Sequence, residues 1–168
     1  MRSYIDNGIE YNSATYRKVI GEVRRQVTQK RLEYLSHDRA TRLQQDFCKA
    51  NNLDTALLVP NRRYERQFCD RNPNNCSVMV KVTYDAVSFL FPGDAEHEAE
   101  ERYLEDFEVR SQLASKVLKV SHHGSDTSSG PDFLQAVSPS WMEERHRDKQ
   151  RVQAPKTFYG QKPAGLCR

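Results

Sequence analysis

Two short apolar runs, each ending on side chains of metal-binding type, restrict this chain more than any other feature. Phe89-Leu90-Phe91 leads into Pro92-Gly93-Asp94, and Val117-Leu118-Lys119-Val120 leads into Ser121-His122-His123-Gly124. A charged segment of helical character, Ala95 to Phe107, lies between them. Strands that deliver a carboxylate and imidazoles to one edge of a sheet build half of a metal site. Strand ends supply the rigidity that ligands need, and a glycine beside a ligand lets backbone or substrate approach closely.

The strand pattern around these runs is clear. Val78, Val80, Val82 and Tyr84 alternate with Met79, Lys81 and Thr83, the period of a half-buried strand. Asp85-Ala86 makes a tight turn, and Val87 to Phe91 returns as the partner of a hairpin. That returning strand is apolar on both faces, so it is expected inside the sheet. Further strands are read at Arg2–Asp6, closed by the turn dipeptide Asn7-Gly8, and at Thr55–Val59, stopped by Pro60. Asn12 or Ser13 caps a helix running to about Gln29, with Tyr16, Val19, Ile20, Val23 and Val27 on one face. A short helix is expected from Pro131 to Val137. Asn61 to Asn75 reads as loop, and Arg31 to Asn52 gives no clear pattern.

Composition argues for a thin core. Hydrophobic residues make up 37% of the 168 and mean hydropathy is −0.85, where globular chains average about 45–50% apolar. One domain is expected at this length. The net charge of +3 allows weak attraction to phosphates without requiring nucleic acid. No apolar run is long enough to span a bilayer, and the first residues carry no signal-peptide pattern; compartment is left unassigned. Cys69 and Cys76 flank the loop sequence Asp70–Asn75. Buried or spectator thiols are the expectation there, with a disulfide as the alternative.

The blocks Ser88-Phe89-Leu90-Phe91-Pro92-Gly93-Asp94-Ala95-Glu96 and Leu118-Lys119-Val120-Ser121-His122-His123-Gly124-Ser125-Asp126-Thr127-Ser128, with the Asn75–Tyr84 strand before them, resemble the metallo-β-lactamase superfamily. The nearest likeness is to its ComEC-like branch, the domain attached to DNA-uptake channel proteins. The resemblance implies an α/β fold, an αββα sandwich of two sheets flanked by helices, and a metal-dependent hydrolase with a two-metal site of zinc or manganese. It gives Asp94 the role of bridging carboxylate. One of His122 and His123 becomes a ligand and the other faces substrate, and which is which stays open. Ser125 and Ser128 help to shape the substrate pocket. The implied substrate is a phosphodiester such as DNA. A metal pair about 4 Å apart can hold a hydroxide for such an attack.

Two departures limit the resemblance. The signature His-x-His-x-Asp-His does not occur in the chain, so residues 1–141 are read as a partial domain, resembling the C-terminal half. After Trp141 the family pattern stops, and 142–168 is read as an atypical, disordered tail; a reading-frame shift near Trp141 would account for it. Three functional readings follow. The first is a phosphodiester hydrolase with an incomplete site. The second is an inactive remnant, or a fragment completed by a missing N-terminal half or a partner chain. The third is a nucleic-acid-binding module using Arg17, Lys18, Arg24 and Arg25. His37-Asp38, Asp46, His97 and the glutamates from Glu96 to Glu105 are read as solvated side chains.

Overall fold

The computed structural model describes residues 3–36, 53–58 and 66–143. The chain opens with a parallel two-stranded unit: β1 (Ser3–Asp6), α1 (Ala14–Thr28) and β2 (Glu33–Ser36), with Asp6 opposite Ser36. Ser13 caps α1 by accepting the amide of Tyr16 at 3.0 Å, satisfying one of the free donors of the first turn. The strand β2 falls in the segment whose sequence shows no clear period. Its four residues, Glu-Tyr-Leu-Ser, are too few to display alternation.

The larger sheet has five strands in the order β3 (Leu53–Leu58), β4 (Met79–Tyr84), β5 (Val87–Phe91), β6 (Val117–Lys119) and β7 (Trp141–Glu143). The first two pairings are antiparallel and the last two parallel. The expected hairpin is β4–β5, with Lys81 opposite Leu90 and Asp85 left-handed at φ 49° in its turn. As expected, β5 lies inside the sheet. The architecture is therefore mixed α/β.

Three helices connect or follow the later strands: α3 (His97–Glu105), α4 (Phe107–Arg110) and α5 (Pro131–Val137). The expected single helix over 95–107 breaks at Asp106, whose side chain accepts the Val109 amide and caps a second helix. One sheet face carries Leu58, Met79, Leu90 and Leu118. They pack with Ala99, Tyr103, Val109, Phe133 and Val137 into the main core. The opposite face carries Val80, Val82, Phe89 and Val117, all half-buried, with Tyr84, Phe91 and Trp141 exposed.

Between β3 and β4 the structure has α2 (Arg66–Arg71) and a 3-10 turn at Pro73–Cys76, where the sequence reads as plain loop. Cys69 and Cys76 are joined by a disulfide with their Cα atoms 5.5 Å apart. This corrects the expectation of free thiols. The helix and the turn double back on each other, and both sulfurs are buried in a small cluster with Phe68. The strand β7 carries regular structure through Glu143, two residues past the boundary drawn at 141. His37, Asp38, Asp46 and residues 144–168 lie outside the described residues. No helix among the described residues is long and apolar enough to cross a membrane.

Candidate metal centre

The ends of β5 and β6 are parallel neighbours, so the residues that follow them emerge at one edge of the sheet. Gly93 sits there at φ +68°, and a Cβ on it would come within 3.2 Å of the Ser77 Cβ. Only glycine takes that backbone without strain. The Gly93 carbonyl accepts the His122 amide at 3.2 Å and Lys119 Nζ at 3.3 Å. The next residue, Asp94, donates its amide to Ser77 Oγ at 3.2 Å. The two turns that carry Asp94 and the histidines are thus tied to each other and to Ser77, two residues ahead of β4.

His122 and His123 are both left-handed, at φ 45° and 55°, and Gly124 follows at φ 80°. Non-glycine residues in this region each cost about 1–2 kcal/mol, and such strain concentrates where geometry serves function. Ser128 is the counterweight. Its buried hydroxyl lies 2.9 Å from the Ser121 carbonyl and 3.0 Å from the Ser125 carbonyl, sharing its one proton between them and bridging the two ends of the turn. Ser125 Oγ lies 3.0 Å from Thr127 Oγ1.

The left-handed pair sends its two imidazoles to different partners. His123 Nε2 lies 3.6 Å from Asp94 Oδ1, with both side chains about half exposed. His122 Nδ1 lies 3.2 Å from Glu96 Oε1, and its Nε2 is 3.5 Å from Asn74 Nδ2. Asn74 also donates to Glu96 at 2.8 Å. Hydrogen bonding from Asn74 holds the Glu96 carboxyl below its ordinary range, against the opposing effect of burial, with further help from Asn72, Thr127 and the charge of His122. Glu96, Asn74 and Ser77 are the members of this edge that sequence reasoning missed. Glu96 stands two residues past Asp94, which is a usable signal; nothing local marks Asn74.

The glutamates of α3 are not uniformly solvated. Glu100 is 2% exposed and accepts the amides of Ser129 at 2.6 Å and Gly130 at 2.8 Å. Glu98 accepts Asn75 Nδ2 at 2.7 Å. The basic face of α1 is largely occupied by neighbours. Arg24 pairs with Glu10, Arg25 with Glu22, and Arg17 donates to Asn12.

Two ligands on one tetrahedral zinc stand about 3.3 Å apart, so Asp94 and His123, at 3.6 Å, fit two corners of a metal site. No group of three or more His, Cys, Asp or Glu side chains converges among the described residues. These residues fit part of a centre and not a whole one.

No family model matches the chain. Curated proteins similar to part of it include competence protein ComA of Neisseria gonorrhoeae, 36% identical over 91 residues. ComE operon protein 3 of Bacillus subtilis is 35% identical over 66 residues. The uncharacterized protein YcaI of Escherichia coli is 40% identical over 65. These partial similarities support a ComEC-like relationship. The matches take in 54%, 39% and 39% of this chain but only 12%, 8% and 8% of those proteins, so the relationship concerns a small part of each.

Proposed function

We propose that this chain is part of a ComEC-like, metal-dependent hydrolase of the metallo-β-lactamase type, acting on a phosphodiester such as DNA, with zinc or manganese as its metal. The observation that carries the reading is the meeting of Asp94 and His123 at adjoining strand ends, 3.6 Å apart. Asp94 and His123 would be two of the ligands. His122 has a positioning role, its imidazole lying beside Glu96 at ion-pair distance and beside Asn74. When bound, such a metal acidifies a water and polarises the phosphoryl group. Ser128 and Lys119 hold the two turns in register. Ser125, with its hydroxyl beside Thr127, borders the same loop on the substrate side. The apolar second face of the five-stranded sheet supports an αββα sandwich, because a second sheet is what would cover it. One relative is named a competence protein, and competence is the uptake of DNA, which favours DNA as the substrate.

Among the described residues no third ligand joins this pair, which favours a second reading, in which the chain is inactive alone and is completed by another segment or a partner chain. One experiment separates the two. The purified chain is loaded with zinc or manganese and assayed on bis(p-nitrophenyl) phosphate beside Asp94→Ala and His123→Ala. Under the first reading both variants lose metal-dependent turnover by about 100-fold or more, as expected when a metal ligand is removed. Turnover absent in the parent chain, or equal in Asp94→Ala, rejects it.

A further inference from the structure

The chain has a second concave site that the metal centre does not use. A cavity of about 330 Å³ lies beside β1 and the start of α1, lined by Tyr4, Asp6, Tyr11, Tyr16, Ser77 and Val78 among others. That volume lies within the range of small-molecule sites, about 300–1,000 Å³. The rings of Tyr11 and Tyr16 stand 5.5 Å apart at 78° to each other, forming two walls at nearly a right angle. Tyr4 makes a third and leans on Tyr34 at 6.1 Å. The walls are braced: Asn7 Nδ2 donates to the Tyr11 hydroxyl at 2.9 Å and to the Cys76 carbonyl at 3.1 Å.

Among the described residues that line this cavity, Asp6 is acidic and none is basic. Asp6 Oδ1 accepts from the Gly8 amide and from the Tyr34 hydroxyl, both at 2.8 Å. Asp6 Oδ2 is buried and has no hydrogen-bond partner. A buried carboxylate oxygen left without a partner is costly, and a cation nearby relieves that cost. Arg24, whose charge reaches Tyr16, is itself paired with Glu10. Burial, followed by the charge of Asp6, raises the Tyr4 and Tyr16 phenols above their ordinary value, so these rings stay neutral at physiological pH.

We propose that this tyrosine-walled cavity binds a small organic cation of the quaternary-ammonium class. Ring faces attract such a cation through their quadrupole, and the Asp6 carboxyl group lines the same cavity. The burial of Oδ2 selects within the class. An ammonium or guanidinium group needs an exposed acceptor for its N–H donors, and Oδ2 offers none without rearrangement. A quaternary ammonium has no N–H to satisfy. This inference stands apart from the hydrolase reading, and its test does not involve turnover.

The test uses the full chain with choline chloride as probe, followed by NMR titration of the tyrosine ring signals at constant ionic strength. Saturable binding is expected. The uncharged isostere 3,3-dimethylbutanol should bind about 10-fold more weakly or worse, and guanidinium more weakly than choline. Tyr16→Ala should abolish saturation, while Tyr16→Phe, which keeps the ring, should retain affinity within about 3-fold. The Phe variant and the isostere pair keep the test decisive if Tyr16→Ala fails to fold. No saturable binding by the parent chain overturns the proposal. So does equal binding of the isostere, tighter binding of guanidinium, or full affinity in Tyr16→Ala.

Discussion

The two faces of the five-stranded sheet are built from the same residue types and have reached different states. On one, Leu58, Met79, Leu90 and Leu118 are buried to 1% exposure or less under α3, α4 and α5. On the other, Val80, Val82, Phe89 and Val117 stay half-buried, while Phe91 is 42% and Trp141 60% exposed. The pairing register explains how residues are assigned to each face: Leu90 stands opposite Lys81 and Leu118, Phe89 opposite Val82 and Val117. Only the covering elements differ. Apolar patterning thus says that a strand face seeks cover, and does not say whether the cover has arrived.

The largest test of this contrast is Leu118→Ala. Emptying a fully buried leucine site costs about 2–5 kcal/mol, a fall of roughly 7–14 °C in Tm for a chain of this size at the middle of that range. Phe89→Ala on the other face should cost less than Leu118→Ala by urea denaturation, despite removing a larger side chain. Equal costs would show the second face to be as well covered as the first.

Glu100 gives a smaller and pH-dependent effect. Burial raises its carboxyl pKa, opposed by the amides of Gly130 and Ser129. The folded chain therefore holds this proton to higher pH than the unfolded chain. Stability falls as pH rises from the ordinary value of 4.5 through the folded value, and recovers on acidification. Glu96 has the opposite sign. Its lowered pKa contributes stability that is present above 4.5 and is lost as pH falls through its folded value. Glu100→Gln should cost about 1–3 kcal/mol, because the side-chain NH2 replaces one acceptor oxygen and leaves one of the two backbone donors facing another donor. It should also flatten the decline above 4.5 in denaturation curves taken across pH. A decline unchanged in the variant assigns it to another group.

The smallest expected effect is on the exposed residues. Phe91→Ser with Trp141→Ser should change stability by less than about 1 kcal/mol and reduce binding of the dye ANS, which reports exposed apolar surface. Undiminished dye binding would place the apolar surface elsewhere.

Much of this was legible in sequence for physical reasons that differ by region. Alternation at Met79–Tyr84 and the helical period behind Ser13 are local signals, and both elements stand where they were expected. Asp94 and the two histidines were legible as strand-end residues. Which partner each imidazole meets was not. It depends on two consecutive left-handed residues, and no propensity favours that backbone at His122 and His123. The pairing of Cys69 with Cys76 was open for a similar reason: it required a helix and a 3-10 turn in a segment rich in Arg and Asn. The strand β2 and the role of Asn74 rest on partners distant in sequence.

The two-residue turn between β4 and β5 bears on the order of assembly. Loop closure becomes costlier with length, and contacts near in sequence form sooner. The β4–β5 hairpin closes across Asp85 and Ala86 alone, whereas β6 must wait for α3 and α4 to be made. Our hypothesis is that the hairpin is the nascent chain's first stable contact and that its helix-covered face is acquired afterwards. Pulsed hydrogen exchange during refolding should then protect amides of Val80–Phe91 before those of Val117–Lys119. Simultaneous protection would mean that sheet and helices condense in a single step.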